Sequence, residues 1–219
     1  MKRLFYLFAL LPLLGMGQTS ANAINNTTGG FEISGDISGY PDGTSVSFLN
    51  QQTGTPEKQT TFQNGKFVVK GQLTEPSFVI LVFGDQPPAV PLFIENSKVE
   101  IKGDKSNIDN LSVTGSKTET QFAEYSKMMK PYENMFNPGV EKNPDSVLAV
   151  EKISERFVKM NPSSYVAPLA IIRILQTSEN IAKADELFKL MTEDVKKTSL
   201  SKYLDQQLAL ARINPIGSV

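Results

Sequence analysis

The chain has 219 residues, 40% of them hydrophobic and 21% charged, with a formal net charge of −1. That balance excludes wholesale disorder and fibrous repeats, and it leaves no basic footprint for nucleic acid and no polybasic patch for a membrane surface. Cys, His and Trp are absent altogether. Disulfides, thiol redox centres, iron–sulfur clusters, thiolate or imidazole metal sites and every triad built on a histidine base are therefore excluded.

The N-terminus reads as an export signal over residues 1–23. Met1, Lys2 and Arg3 form a basic start, and Leu4 to Leu14 is an apolar run of eleven residues. A helix needs about 20 apolar residues to cross a bilayer, so this run is too short. Ala21-Asn22-Ala23 fits the small-x-small pattern of signal peptidase. Cleavage is expected after Ala23, with Gly17 as the alternative, and the mature chain is expected in the periplasm or outside the cell. No cysteine is present to carry a lipid anchor.

Residues 29–115 read as short strands. Phe31, Ile33 and Ile37 alternate with polar residues, as do Val46 and Phe48, which is the period-2 burial of one sheet face. Pro41-Asp42-Gly43 is a turn. Asn64-Gly65 is a strong hairpin signal, so Gln59–Phe62 and Lys66–Lys70 are expected to pair antiparallel. Ser77–Phe83 (SFVILVF) is a nearly continuous apolar run and reads as a central strand covered on both sides. Ala89–Glu95 and Lys98–Lys102 are expected to form a second hairpin across Asn96-Ser97, and Leu111–Thr114 closes the set. The expected architecture is an antiparallel β-sandwich or barrel of about eight strands.

From residue 116 to 213 the period is helical. Ser116 and Glu119 have capping-box spacing, in which each side chain satisfies a free amide at the helix start. Phe122, Tyr125 and Met129 then share a face, and Pro131 ends or bends the helix. A second helix from about Asp145 carries the apolar stripe Leu148, Val150, Ile153, Phe157 and Met160, and Asn161-Pro162 stops it. Ser164–Thr177 is the buried helix of the bundle, its Pro168 tolerable only in the first turn. Asn180–Lys197 reads as a fourth helix and Ser199–Arg212 as a fifth. Residues 214–219 read as a linker-like tail. The fold class is thus α+β, a strand domain followed by four to five helices.

Candidate chemistry is sparse. Thr28-Gly29-Gly30 and Asp42-Gly43 lack any nucleotide-binding context and read as turns. The acidic pairs Glu32/Asp36 and Glu193/Asp194 suit general acid–base work by residue type, but their positions read as solvated surface, with Glu32 and Asp36 on an edge-like strand. Asp104, Asp109 and Asn110 fail the calcium-loop pattern, since Lys105 stands where ligands are needed. Arg173, inside an apolar helix, needs a partner, and Asp185, Glu186 or Glu155 is expected to supply a structural ion pair. No catalytic, cofactor-binding or metal-ligating residue is assigned.

The strings Phe31-Glu32-Ile33-Ser34-Gly35-Asp36-Ile37, Asp42-Gly43-Thr44-Ser45-Val46 and Asn64-Gly65-Lys66-Phe67-Val68-Val69-Lys70-Gly71, with Pro76, resemble an uncharacterised β-sandwich domain. That domain stands at the N-terminus of exported thioredoxin-like proteins of Gram-negative bacteria. Leu92 to Asn96, Val99 to Ile101, Val113 to Ser116, Asn161 to Ala167 and Ile216-Gly217-Ser218 continue the similarity. The resemblance implies a following thioredoxin domain with a Cys-x-x-Cys pair, but the given sequence stops at Val219. It implies either a stand-alone accessory region or a truncated thiol-disulfide oxidoreductase.

Three functions follow as expectations. The first is a non-catalytic exported accessory module, whose partner is an envelope protein or a thioredoxin-like domain. The second is an envelope protein that binds a peptide or glycan, with Tyr40, Gln51, Gln52 and Gln86 placed in loops. The third, a carboxylate-only hydrolase, requires two carboxyls about 5 to 9.5 Å apart in a cleft.

Overall fold

A computed structural model describes residues 29–50, 56–84, 89–137 and 139–213. The expected leader, the tail 214–219 and Gln51, Gln52 and Gln86 lie outside them. The chain divides into two compact units between Thr120 and Gln121. The first holds the strands β1 (Phe31–Ser38), β2 (Ser45–Asn50), β3 (Pro56–Thr61), β4 (Lys66–Gly71), β5 (Ser77–Phe83), β6 (Ala89–Ile94), β7 (Lys98–Asp104) and β8 (Ser112–Thr114). They form two four-stranded sheets, ordered β4-β1-β7-β8 and β3-β2-β5-β6.

Alternation dictates which side chains enter the space between them. Phe31, Ile33 and Ile37 of β1, Phe67 and Val69 of β4, and Val99 and Ile101 of β7 belong to the same buried core as Val46, Phe48, Val79, Leu81, Phe83, Leu92 and Ile94 from the other sheet. Each such side chain contributes about 1.5–3 kcal/mol by leaving water. On β5 both phases are buried, with Ile80 as well as Val79 and Leu81 withdrawn from solvent. The strand is interior to its sheet, as its unbroken apolar run predicts.

Both expected cross-turn hairpins are instead crossings from one sheet to the other. Asn64 and Gly65 do take positive φ, 52° and 71°. The ladder across them, however, is a single bridge between Gln63 and Lys66, while β3 pairs with β2 and β4 with β1. Phe62 explains the diversion: fully buried, it ties its backbone to the β1–β2 turn, donating to Thr44 O and accepting from Gly43 N, both at 2.9 Å. Likewise β6 pairs with β5, whereas β7 lies between β1 and β8. The β1–β7 pairing is parallel, so β1 is an interior strand rather than an edge.

The helices are α1 (Lys117–Met129), α2 (Pro144–Met160), α3 (Ala167–Thr177), α4 (Ile181–Leu190), α5 (Glu193–Lys196) and α6 (Ser199–Ile213). Only the first turn of α1 belongs to the strand unit. After α1 the chain tightens into a 3-10 turn over Lys130–Phe136, with Pro131 in its first positions. Asn143 caps α2 by accepting from the amides of Asp145 and Ser146, and Asn180 caps α4 through Lys183 N. Pro168 sits in the first turn of α3, and eight of that helix's eleven residues are buried. Helix α3 packs on α2, α4 and α6.

Two expectations fail in this unit. The buried stripe of α2 is Val150, Ser154, Phe157 and Val158, while Leu148 and Met160 are 49% and 66% exposed. The stripe turns so that Tyr125 of α1 can bond Ser154, at 2.8 Å between hydroxyls, and pack on Phe157. The segment 180–197 is two helices, not one. Met191 is extended (ψ 145°) and buried, and Thr192 N donates to Pro162 O at 3.0 Å in place of a helical bond.

Candidate functional site

The acidic pairs singled out by residue type do not converge. Glu32 and Asp36 point from the outer face of β1 toward β4, where Lys70 lies 2.6 Å from Glu32 and Lys66 lies 3.4 Å from Asp36. Lys70, by hydrogen bond and charge, holds the Glu32 carboxyl below its usual range. Glu193 and Asp194 pair with Lys196 and Lys197 one turn along, at 3.0 and 3.8 Å.

Asp104 caps the 3-10 turn over Lys105–Asn110. Its carboxylate accepts from Ser106 N at 2.8 Å, Ser106 Oγ at 2.5 Å and the hydroxyl of Ser38, and these bonds, Ser106's first, lower it to about 2. Asn110 bonds Asn107 at 2.5 Å, and the side chain of Asp109 lies outside the described residues. Among the described residues no three Asp or Glu side chains gather closely enough to hold a metal ion.

The three carboxylates expected to pair with Arg173 each lie against another cation. The Arg173 guanidinium lies over the Phe136 ring, 4.2 Å from the centroid, and donates to Gln176 Oε1 at 3.0 Å. Glu155 and Glu186 pair with Lys159 and Lys183, and Asp185 takes Arg212. Tyr40, expected in a loop open to ligand, sits in the β1–β2 connection with its ring in the core, stacked on Phe62 at 4.8 Å. Lys105 Nζ lies 5.0 Å from the centroid of that ring.

The most perturbed carboxyl, that of Glu119, lies with Glu95 where α1 meets the edge of the second sheet. Glu95 follows β6, and its Oε1 accepts from Ser116 Oγ (2.8 Å), Lys117 N (2.8 Å) and Thr118 N (3.3 Å). Its Oε2 accepts from Thr118 Oγ1 at 2.7 Å. One carboxylate thus satisfies two of the amides that a helix start leaves free, in the position favoured by the helix dipole. Burial works to raise the Glu95 carboxyl, but the hydroxyls of Thr118 and Ser116 and the two amides outweigh it, and the net shift is downward.

Glu119 faces the opposite way. Its amide donates to Ser116 Oγ at 3.0 Å, which is the capping bond its spacing predicts. Its carboxyl does not reach back to the helix start. Instead Oε2 accepts from Phe93 N, at 2.6 Å, on the open edge of β6. Pro91, two residues earlier in the same phase, has no N–H to offer. The outward edge of β6 is therefore blocked at successive donor positions, a device that discourages strand addition. Glu119 is only 5% exposed, and burial pushes its carboxyl up to about 8 against the pull of the Phe93 amide.

Glu95 and Glu119 form a reciprocal clasp, in which a strand-end carboxylate caps the helix and a helix carboxyl caps the strand. The spacing of Ser116 and Glu119 was the only local sign of it. Gly115 sets the entry geometry: its φ is +98°, and a Cβ there would stand 1.9 Å from Lys98 O. Two carboxyls with opposite shifts resemble an acid–base pair in their titration, but both oxygens of Glu95 and Oε2 of Glu119 are taken up by bonds within the fold. No curated protein and no solved structure matches the chain. Residues 31–122 match the family described as Domain of unknown function (DUF4369), a span that begins with β1, ends in α1 and contains both carboxyls of the clasp.

Proposed function

We propose that the chain is a non-catalytic accessory module of the bacterial cell envelope, exported by its N-terminal signal, which holds or positions a partner such as a thioredoxin-like domain. The observation that carries this reading is the use of the ionisable side chains. Glu32, Asp36, Glu95, Asp104 and Glu119 are each engaged by a residue of their own unit. They brace strands and a helix start rather than line a common cleft. The family match over residues 31–122 agrees with the resemblance in sequence at the level of an uncharacterised domain. The absence of Cys and His from the whole sequence leaves thiol exchange and imidazole catalysis without a reacting group.

The reading is tested by mixing the purified chain with a separately expressed thioredoxin-like domain and following amide shifts of both. Saturable shifts are expected, together with insulin-disulfide reduction no faster than the added domain achieves alone. Turnover of insulin by the chain by itself would overturn the non-catalytic part, and unshifted spectra at millimolar concentration would overturn the partner.

A further inference from the structure

The two carboxyls of the clasp differ in how well each tolerates its charge. Glu95 has four donors and is only half-buried. The Glu119 carboxyl has one hydrogen bond among the described residues, from Phe93 N, and the residue has almost no contact with water. Among the described residues no opposite charge acts on it. Neither β5 (SFVILVF) nor β6 (AVPLFI) contains an ionisable side chain, and on α1 the nearest ionisable residues, Lys117 and Glu124, are exposed. Glu95, the one charged group at the end of β6, is itself anionic and already committed to the first turn of α1.

We propose that the clasp is a proton-dependent latch, in which Glu119 keeps its proton while the first turn of α1 rests on β6 and releases the strand edge when that proton is lost. The cause is desolvation. A buried carboxylate bonded to one amide is not compensated for lost hydration, so the ionised side chain gains by turning to water. Turning out breaks the bond to Phe93 N and bares the edge that Pro91 and Glu119 otherwise block. The direction follows from the folded value of about 8 against the ordinary 4.5. A raised carboxyl contributes fully below 4.5 and loses its contribution as pH climbs to about 8. The latch is therefore closed at neutral pH and loosens in mild alkali.

The test uses the full mature chain and its Glu119→Gln variant, which imitates the protonated form. Amide exchange at Phe93, corrected for the intrinsic rate, is measured by NMR at pH 6.5 and pH 9, and the Glu119 carboxyl carbon is titrated. Protection of Phe93 is expected to fall at least about tenfold in the native chain, the equivalent of one pH unit of linkage, and less than about twofold in the variant. Equal pH dependence in the two chains overturns the latch. If Glu119→Gln does not fold, the native chain decides alone. A carboxyl midpoint near 8 that coincides with loss of Phe93 protection supports the latch, and a midpoint near 4.5, or protection that does not change, overturns it.

Discussion

The strand unit and the helical unit differ in whether they bury a carboxyl. The strand unit buries a carboxyl, Glu119, at the start of α1 and packs its sandwich core with aliphatic and aromatic side chains. The helical unit keeps the carboxylates of Glu155 and Glu186 in contact with water, in a network with Lys159 and Lys183 between α2 and α4, and its buried polar residues are hydroxyl-bearing ones among the described residues. Tyr125 bonds Ser154, and Thr198 and Ser201 both reach Val195 O, at 2.7 and 2.6 Å. Buried hydroxyls are neutral at every ordinary pH, whereas a buried carboxyl ties stability to proton concentration. Alkaline sensitivity should therefore reside in the strand unit.

The largest break in that contrast should come from Glu95→Ala. The substitution removes four acceptor contacts at once and leaves the amides of Lys117 and Thr118 without their cap. Loss of a charge-assisted cap, with partly buried donors left behind, costs about 2 kcal/mol, which urea unfolding at pH 7 would register. The sign with pH is the reverse of that for Glu119. The Glu95 carboxyl is lowered on folding, so its contribution is present above the unfolded value and fades as pH falls through the folded one. The difference between native chain and variant should accordingly shrink in acid, and a difference that stays constant down to pH 2 would remove Glu95 from the acid response.

A matched pair of tyrosines sharpens the comparison at a smaller scale. Tyr125→Phe deletes a fully buried hydroxyl bonded to Ser154 and leaves the Ser154 oxygen to find another partner. A loss of about 1–2 kcal/mol is expected. Tyr40→Phe deletes a hydroxyl that is buried without any hydrogen bond among the described residues. Its ring contacts with Phe62 and Phe83 survive the change. Stability should stay the same or rise, because an unsatisfied polar atom leaves the core. A Tyr40→Phe variant less stable than Tyr125→Phe would mean that a water bonds the Tyr40 hydroxyl.

The sequence was most legible where one residue acts on its immediate neighbours. Period-2 alternation located β1, and Asn64-Gly65 took the positive φ values that its residue types favour. Pro131 and Pro168 fell in the first positions of helical segments. Pairing was less legible, because a turn signal says that the chain reverses and not which sheet receives it. Phe62 decided that, through burial and two bonds to the β1–β2 turn far away in sequence. The same limit applies at the clasp. Ser116 and Glu119, three residues apart, announced a cap and delivered half of one. The other half came from Glu95, 21 residues before Ser116, at a separation where no helical spacing applies. Met191 shows the converse, a helical pattern interrupted because the Thr192 amide found Pro162.

The smallest expected effect lies in the α2–α4 network. Lys183 Nζ reaches Glu155 at 3.0 Å and Glu186 at 3.2 Å, and Lys159 reaches the same two carboxylates at 2.6 and 3.4 Å. Each lysine raises its neighbours' tendency to ionise, first through hydrogen bonds and then through charge, and all four groups retain access to water. Exposed pairs of this kind contribute little, because solvent and salt screen them and long side chains lose freedom in forming them. Lys183→Met keeps the aliphatic stem and removes the charge. Its melting temperature should lie below that of the native chain by less than the Tyr125→Phe shift, and the gap should close in 1 M salt, where screening acts within about 3 Å. Persistence of the gap at that ionic strength would show that the loss does not come from a screened charge pair, and Lys183 would then act through something other than its charge.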